Sequence, residues 1–317
     1  MRLPQPFYRL PLRFDATRLR QEVAALPPSS WVSHPTGYAG NSAVRLISVG
    51  GAENDGMNGP MLPTPHLERS PYLWQVLASF GVVWSRSRLL KLDARACVPQ
   101  HADTNYHWFT RVRLHIPLRT RPEVRFYCGS DNVHMAAGEA WVFDNWRLHR
   151  VENPTDEERI HLVADTSGSA EFWHLVEATA ARELPVRELA YDPQAARAAL
   201  ATEQALSRPV MTPGEIDLLI LDLRAELVAK DEAGPAPERL SRYHDLLGSF
   251  ARDWRQLYAR WGEEANGMPD YRTLLERLRN ASRAMSDDLV MRTNQAAAHF
   301  VLEGRVLRAA LAPGESK

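Results

Sequence analysis

The chain has 317 residues, of which 44% are apolar and 24% are charged, and its formal net charge is −1. This composition is that of an ordinary globular protein, and the charge balance argues against general nucleic-acid binding, which needs a basic surface. No apolar run reaches the roughly 18–20 residues of a membrane helix, and the N-terminus lacks the pattern of a secretory signal. Because two cysteines cannot make a disulfide framework, we expect a cytoplasmic protein. The charge balance and the lack of a long apolar run lead us to expect neither nucleic-acid nor membrane partners.

The first 80 residues predict two short helices around a loop. Asp15 can cap a helix over 16–26, and Ser70, followed by a proline, can open a second helix over 71–80. The stretch 50–65 between them is rich in glycine and proline and is therefore expected to be a loop.

Between residues 82 and 165 the pattern indicates short β-strands. Residues 111–116 alternate strictly, as a strand with one apolar face does. The turn residues at 153–156 predict a hairpin between the strands on either side of them. Short strands at this spacing are typical of a sandwich or barrel rather than of a parallel sheet. The further strands are expected at 124–128, 140–143, 149–151 and 159–164.

From about residue 208 the sequence becomes helical. A capping-box pattern with an early proline stands at 212–215, and an apolar stripe with alternating spacings of three and four runs over 240–261. These features predict a small helical bundle, which could also make a homo-oligomer. The helices beside the stripe are expected at 214–229, 270–284 and 286–309.

His101 and Asp103 give the first chemical signal. Residues i and i+2 of a strand point to the same side, so this imidazole and this carboxylate can bind one metal ion together. His149, at the start of a later strand, can supply a third ligand. Two histidines and one carboxylate form the facial triad of non-haem Fe(II) oxygenases, which leaves coordination positions open for a cosubstrate and O2.

Basic residues near this triad strengthen the prediction. Arg159 stands ten residues after His149, and arginine holds a carboxylate through two parallel hydrogen bonds. It can therefore bind the far end of a dicarboxylate whose keto-acid end chelates iron. Arg111, Arg113 and His115 share one face of a strand, which suits an anion site better than a core.

A family resemblance is carried by five stretches of the chain: His101-x-Asp103, Arg111-Val-Arg113-Leu-His115-Ile-Pro, Gly138-Glu139-Ala-Trp141-Val-Phe-Asp144-Asn145, His149-Arg-Val-Glu-Asn153 and Arg159-Ile-His161-Leu-Val-Ala-Asp165. Together they resemble the aspartyl/asparaginyl β-hydroxylase family of Fe(II)/2-oxoglutarate dioxygenases, and within it the bacterial free-proline hydroxylases of the cis-4 type. The resemblance covers roughly residues 35–170.

The resemblance implies a fold that is mainly β with added helices. We expect a double-stranded β-helix core, jelly-roll or cupin-like, with flanking helices over residues 1–207 and an appended helical domain over 208–317. The implied enzyme is a dioxygenase that hydroxylates an aliphatic C–H, using O2 and converting 2-oxoglutarate to succinate and CO2.

The resemblance also implies residue roles. The residues expected to bind Fe(II) are His101, Asp103 and His149. Those expected to bind 2-oxoglutarate, or to lie near it, are Arg159, Arg113 and His115.

The substrate is expected to be an amino acid, free and proline-like or within a peptide. Asp103 favours the small-molecule branch, because the animal peptidyl enzymes of the family lack that carboxylate. Arg88, Asn105 and Trp108 are weaker substrate candidates, since a surface arginine and a loop with buried aromatics would explain them too. Two other functions stay open: a peptidyl or protein Asp/Asn β-hydroxylase whose bundle recruits the polypeptide, and a non-catalytic cupin-like module that binds a small carboxylate.

Overall fold

The computed structural model of the chain describes residues 1–181, 184–195, 197–204, 208–230, 236–286 and 288–312. Contacts along the chain divide it into two compact units. The first comprises Met1–His101 and Thr110–Leu206, and the second comprises Ala102–Phe109 and Ser207–Lys317. The segment Ala102–Phe109 belongs to the same unit as the C-terminal residues, which the sequence does not predict.

The elements follow each other in mixed order along the chain. The helices are α1 (Ala16–Ala24), α2 (Pro65–Glu68), α3 (Pro71–Ala78), α4 (Tyr106–Thr110), α5 (Ala170–Ala181), α6 (Pro213–Glu226), α7 (Ala236–Trp261), α8 (Met268–Met285) and α9 (Ala298–Leu302). The strands are β1 (Phe7–Phe14), β2 (Val32–Ser33), β3 (Asn41–Val49), β4 (Met61–Pro63), β5 (Trp84–Leu92), β6 (Cys97–His101), β7 (Val112–Arg119), β8 (Arg125–Cys128), β9 (Asp131–Val133), β10 (Glu139–Phe143), β11 (His149–Glu152), β12 (Arg159–Thr166), β13 (Arg187–Leu189), β14 (Leu227–Ala229) and β15 (Leu289–Met291).

Two sheets organise the described part of the first unit. The larger has the order β13-β1-β10-β7-β12-β5-β3-β2, with β4 paired to β3, and the smaller has the order β6-β11-β8-β9. Every strand pair in them is antiparallel except β1 with β13. Two antiparallel sheets with strand crossovers are the architecture of a jelly roll. The expected fold, a double-stranded β-helix core with flanking helices, is confirmed.

Strand β7 shows how the larger sheet is buried on both faces. Its apolar face, Val112 to Leu118, packs into a core that includes Leu19 and Val23 of α1. Its other face carries His115, which is only 4% exposed. The alternating pattern therefore predicted the apolar face correctly, and the polar face also lies inside the protein.

Of the two predicted N-terminal caps, the one on α1 is confirmed, and the one on α3 is supplied by a different residue. The Asp15 carboxylate accepts hydrogen bonds from the backbone N–H groups of Thr17 and Arg18, which caps α1. Ser70 instead donates from its hydroxyl to a backbone carbonyl and does not cap α3. The buried carboxylate of Glu22, on α1, accepts from the N–H groups of the first turn of α3. A side chain about 50 positions away thus supplies this cap, which no local pattern reveals.

The turn before β10 depends on a glycine. Gly138 has φ +83°, and a Cβ at this position would lie 2.3 Å from the carbonyl oxygen of Phe14. That carbonyl belongs to β1, the neighbouring strand of β10. A residue with a side chain would therefore meet backbone as well as an unfavourable conformation.

Two expectations about the connections are wrong. The strands β11 and β12 do not form a hairpin, because β11 pairs with β6 and β8 in the smaller sheet and β12 pairs with β5 and β7 in the larger one. Asn153 fixes the crossing, since its amide donates to the backbone carbonyls of Asp93 and Glu157. The stretch 50–65 is also not all loop, because it includes β4 and the first residue of α2.

The described part of the second unit is mostly helical. Thr212 and Glu215 form the predicted capping box at the start of α6, and the stripe on α7 buries Tyr243 and Trp254. The expected helix over 286–309 is wrong in its first half, because β15 pairs there with β14. No described helix is long and apolar enough to cross a membrane.

Candidate metal and cosubstrate site

The three residues of the predicted triad lie together. His101 ends β6 and His149 begins β11, and the two residues face each other in the strand register. Their ring centroids are 4.2 Å apart. One ligand atom from each of His101, Asp103 and His149 lies within 4.8 Å of the others. This spacing allows one metal ion to contact all three.

Both imidazoles are oriented by the backbone. Nδ1 of His101 lies 2.8 Å from the carbonyl oxygen of Pro99, and Nδ1 of His149 lies 2.9 Å from the carbonyl oxygen of Arg147. A carbonyl only accepts, so each Nδ1 carries the proton and each Nε2 keeps its lone pair. Metal-binding histidines are usually held in this way by a second hydrogen bond. The donor set fits a non-haem Fe(II) ion.

Aromatic rings surround the two histidines. The ring of Phe126 is stacked on His149 at 6.2 Å with an interplanar angle of 14°, and Phe143 contacts the same imidazole edge-on at 4.9 Å. The ring centroids of Tyr38 and His101 are 6.3 Å apart. Phe126 and Phe143 also contact each other, so they form an apolar wall beside His149.

Arg159 is a buried cation at the start of β12. It is 4% exposed, and its Nη2 donates to Nδ1 of His161 at 2.7 Å. In the part of the chain that the structure describes, no carboxylate pairs with it and its Nε has no hydrogen-bond partner. Burial lowers its pKa to about 9. A buried guanidinium without an acid partner is costly, and a bound carboxylate would relieve that cost.

His115 and His161 extend this polar region along the sheet. Their Nδ1 atoms are 3.4 Å apart, and both side chains are buried. Burial, followed by the charge of Arg159, holds the pKa of each well below its usual range, so both are neutral near pH 7. Among the described residues, the Nε2 atoms of both rings lack hydrogen-bond partners. A cavity of about 10 Å³ lies here, about the size of one water molecule. It is lined by Thr120, Val124, Phe126, Met135, Val151, Arg159 and His161.

His115 also connects the two parts of the site. Its ring contacts Phe126 and Phe143, each at 5.4 Å, and these rings contact His149. The triad residue His149 and the cation Arg159 are thus linked through a wall of aromatic and imidazole rings.

Arg113 lies elsewhere. Its Nε donates to Asp165 Oδ1 at 3.1 Å, and the other oxygen of that carboxylate is 3.9 Å from Nε of Arg86. Because Arg113 and Asp165 face each other in the register of β7 and β12, their ion pair lies four residues along the strands from His161. The structure therefore brings His115 to Arg159 and gives Arg113 a carboxylate of its own.

A cluster of arginines, of which all but Arg113 are buried, continues from this ion pair. We define the arginine cluster as Arg45, Arg86, Arg88 and Arg113. Arg88 is 3% exposed, its Nη1 lies 3.1 Å from Nε2 of His34 and 3.9 Å from an oxygen of Asp55, and it is not a surface residue. Burial and the charges of Arg86 and Arg113 lower its pKa well below its usual range.

His34 accepts the hydrogen bond from Arg88. Burial and the neighbouring arginines lower the pKa of His34 to about 3, so the ring is neutral. Its Nε2 is then the acceptor, and Nδ1 donates to the hydroxyl of Thr36 at 2.8 Å. The carboxylate of Asp55 contacts both Arg45 and Arg88.

Asn105 and Trp108, the weaker substrate candidates that follow Asp103 in the chain, are less exposed than residues of a surface loop. Trp108 is 4% exposed and packs edge-on against His107, with ring centroids 4.6 Å apart. Asn105 is half-buried, and its Oδ1 is a buried atom without a hydrogen-bond partner among the described residues.

Sequence reasoning missed several of these residues. His161 stands two positions after Arg159 on the same strand face, so the strand period could have identified it. Asp165 continues that face and could have been found in the same way. His34 and Tyr38 carry no local signal, because strand pairing alone brings their segment to the site.

A family comparison agrees with this geometry. The family model described as aspartyl/asparaginyl β-hydroxylase matches residues 57–168, about a third of the chain. No curated protein matches the chain.

Solved structures give weaker similarities. An oxidoreductase of the 2OG-Fe(II) oxygenase family from Burkholderia pseudomallei has 15% identity and a TM-score of 0.33, covering 49% of this chain and 79% of its own. A prolyl hydroxylase from Trichoplax adhaerens, in complex with a hypoxia inducible factor peptide fragment, has 12% identity and a TM-score of 0.35, covering 50% and 80%. A predicted oxalate decarboxylase from Thermotoga maritima has 14% identity and a TM-score of 0.26, covering 43% and 89%.

The family match spans the strands that carry the triad and Arg159. Residues 57–168 are therefore similar to the aspartyl/asparaginyl β-hydroxylase family, and the similar region contains all three triad residues and Arg159.

Proposed function

We propose that the chain hydroxylates an aliphatic C–H of a free amino acid, proline-like or related, at the site of His101, Asp103 and His149. These three side chains would hold Fe(II). The chemistry supplied there is the coupled reaction in which O2, 2-oxoglutarate and the C–H compound give succinate, CO2 and the alcohol. The protein residues hold the reactants in place and exclude water.

One observation carries the cosubstrate assignment. Arg159 is a buried cation with an unpartnered Nε and no carboxylate partner in the described ranges. The distal carboxylate of 2-oxoglutarate supplies the missing anion. The hydrogen bond to His161 fixes the guanidinium, and neutral His115 and His161 can each offer a ring nitrogen without adding charge.

The arginine cluster supports a substrate that carries a carboxylate. Arg88 is crowded by the like charges of Arg86 and Arg113, and its partners are a neutral imidazole and the more distant oxygen of Asp55. A substrate carboxylate at Arg88 would relieve that repulsion. The burial of Arg88 suits a small free amino acid better than a residue within a folded polypeptide.

The test is a turnover assay with matched substrates. The protein is supplied with Fe(II), ascorbate and 2-oxoglutarate, and succinate is measured without and with free amino acids, beginning with proline. The same amino acids as carboxamides, and short peptides containing Asp or Asn, form the comparison set. We expect stimulation by a free amino acid and a loss of it for the matching carboxamide.

Other results would select the alternatives. Stimulation by the peptides alone would indicate a peptidyl Asp/Asn β-hydroxylase. Binding of 2-oxoglutarate without any succinate would indicate a cupin-like binding module. A cytoplasmic location and a homo-oligomer through the C-terminal helices stay predictions, which cell fractionation and sizing test.

A further inference from the structure

The segment after the first metal-binding histidine is held by the C-terminal residues. Thr104 directly follows Asp103, and its backbone carbonyl accepts a hydrogen bond from Nε of Arg305 at 3.2 Å. Both residues belong to the second unit, although 201 positions separate them in the sequence. A contact at this carbonyl fixes the backbone next to the Asp103 carboxylate.

Arg305 is itself held firmly. It is 2% exposed and lies in a short π-helical turn, Glu303–Leu307, that continues α9. Its Nη1 pairs with Asp222 of α6 at 2.6 Å. Its guanidinium also lies 5.2 Å from the ring centre of Phe109. The planar guanidinium of Arg305, which belongs to the π-helical turn, thus contacts Asp222 of α6 and also Thr104 and Phe109 of the segment.

Two further contacts of the second unit bind the same segment. The hydroxyl of Tyr106 donates to Glu215 Oε1 at 3.4 Å, and Glu215 is the capping-box residue at the start of α6. Gly304 lies close to Asn105: a Cβ atom added at Gly304 would be in van der Waals contact with Cα of Asn105, at 3.7 Å. The residues that could line a substrate pocket therefore rest on the C-terminal helices.

We propose that Arg305 is a positioning residue for the metal carboxylate Asp103. This inference rests on the proposed role of Asp103 as a metal ligand. Holding the backbone of Thr104 limits the positions that Asp103 can take, so less ordering is needed when a metal binds. Loss of a partner hydrogen-bonded to a metal ligand itself typically costs 10- to 100-fold in metal affinity, so a contact one residue away should fall at the lower end of that range.

The experiment measures metal affinity in the full chain, with Fe(II) under anaerobic conditions and with Co(II), whose visible absorption reports the ligand set. Arg305→Met removes the hydrogen bond and the charge, and Arg305→Lys keeps a charge for Asp222 without the fork that reaches Thr104. Arg308→Met is the matched control, because Arg308 is exposed and pairs with Glu303 outside this contact. His101→Ala reports loss of the metal site itself.

We expect Arg305→Met to weaken metal binding about 10-fold or more and to change the Co(II) spectrum. Arg305→Lys should be affected less, and Arg308→Met should match the wild type. Tyr106→Phe gives a second, milder test should Arg305→Met fail to fold, with an expected two- to threefold loss.

Two negative outcomes are distinguishable. Wild-type affinity and spectrum in Arg305→Lys, Tyr106→Phe and any folded Arg305→Met would overturn the positioning role. If His101→Ala binds metal as tightly as the wild type, the proposed metal site itself is wrong.

Discussion

Arg159 donates a hydrogen bond from Nη2 to Nδ1 of His161, 2.7 Å away, and both side chains are buried. Because arginine only donates, His161 must accept at Nδ1 and carry its proton on Nε2. His161 therefore orients the guanidinium without neutralising it. The positive charge of Arg159 stays available for an anion.

Removing Arg159 should affect cosubstrate binding more than any other property. We expect Arg159→Ala to raise the KM for 2-oxoglutarate roughly 30-fold or more, because a buried charged pair broken at one end costs about 2–5 kcal/mol. The control is Arg119→Ala, since Arg119 is a half-exposed arginine on β7 that pairs with Glu158. Steady-state succinate formation at varied 2-oxoglutarate measures both. An unchanged KM in Arg159→Ala would assign the role to another cation.

The proposed metal ligands can be tested without turnover. We expect His101→Ala and His149→Ala to lose Fe(II) binding in anaerobic titration, since two remaining protein ligands do not hold the ion against water. His174→Ala is the control, because His174 is an exposed histidine on α5. Wild-type affinity in either ligand variant would exclude that histidine from the metal site.

Asp165 should be a stability residue. Its carboxylate is buried, and it lies against Nε of Arg113 and of Arg86. We expect Asp165→Asn to lower the free energy of unfolding by about 3–5 kcal/mol, because it leaves buried guanidinium charge uncompensated. Asp156→Asn removes an exposed pair with Arg95 and should cost less than about 1 kcal/mol. Urea unfolding of the two variants compares them directly, and equal losses would contradict this account.

His34 should make stability depend on pH on the acidic side. Its pKa is about 3 in the folded chain, below the ordinary value of 6.5, so the unfolded chain takes up the proton first as the pH falls. Its contribution to stability is complete above pH 6.5 and decreases from there toward pH 3. We expect His34→Gln to flatten the decrease in unfolding free energy between pH 7 and pH 5. His174→Gln, at an exposed position, should leave the slope unchanged.

Local patterns predicted much of the site but not its assembly. The i, i+2 spacing brought His101 and Asp103 forward together, although β6 ends at His101 and Asp103 lies beyond the strand. The alternation in β7 identified the face of His115. The hairpin after His149 was wrong because neighbouring strands choose their sheets through long-range pairing, which turn residues do not encode. The contact of Arg305 with Thr104 spans 201 positions and has no local signature.

The orientation of His101 and His149 has a consequence for mutation. Each Nδ1 bonds to the carbonyl of the residue two positions earlier, Pro99 for His101 and Arg147 for His149. A side-chain partner could be lost through one codon change, whereas every amino acid supplies a peptide carbonyl. Substitutions at positions 99 and 147 therefore leave the orientation of both rings intact as long as the backbone path is kept. Single substitutions at these positions also cannot replace the hydrogen-bond acceptor and so cannot change the properties of a bound ion by that route.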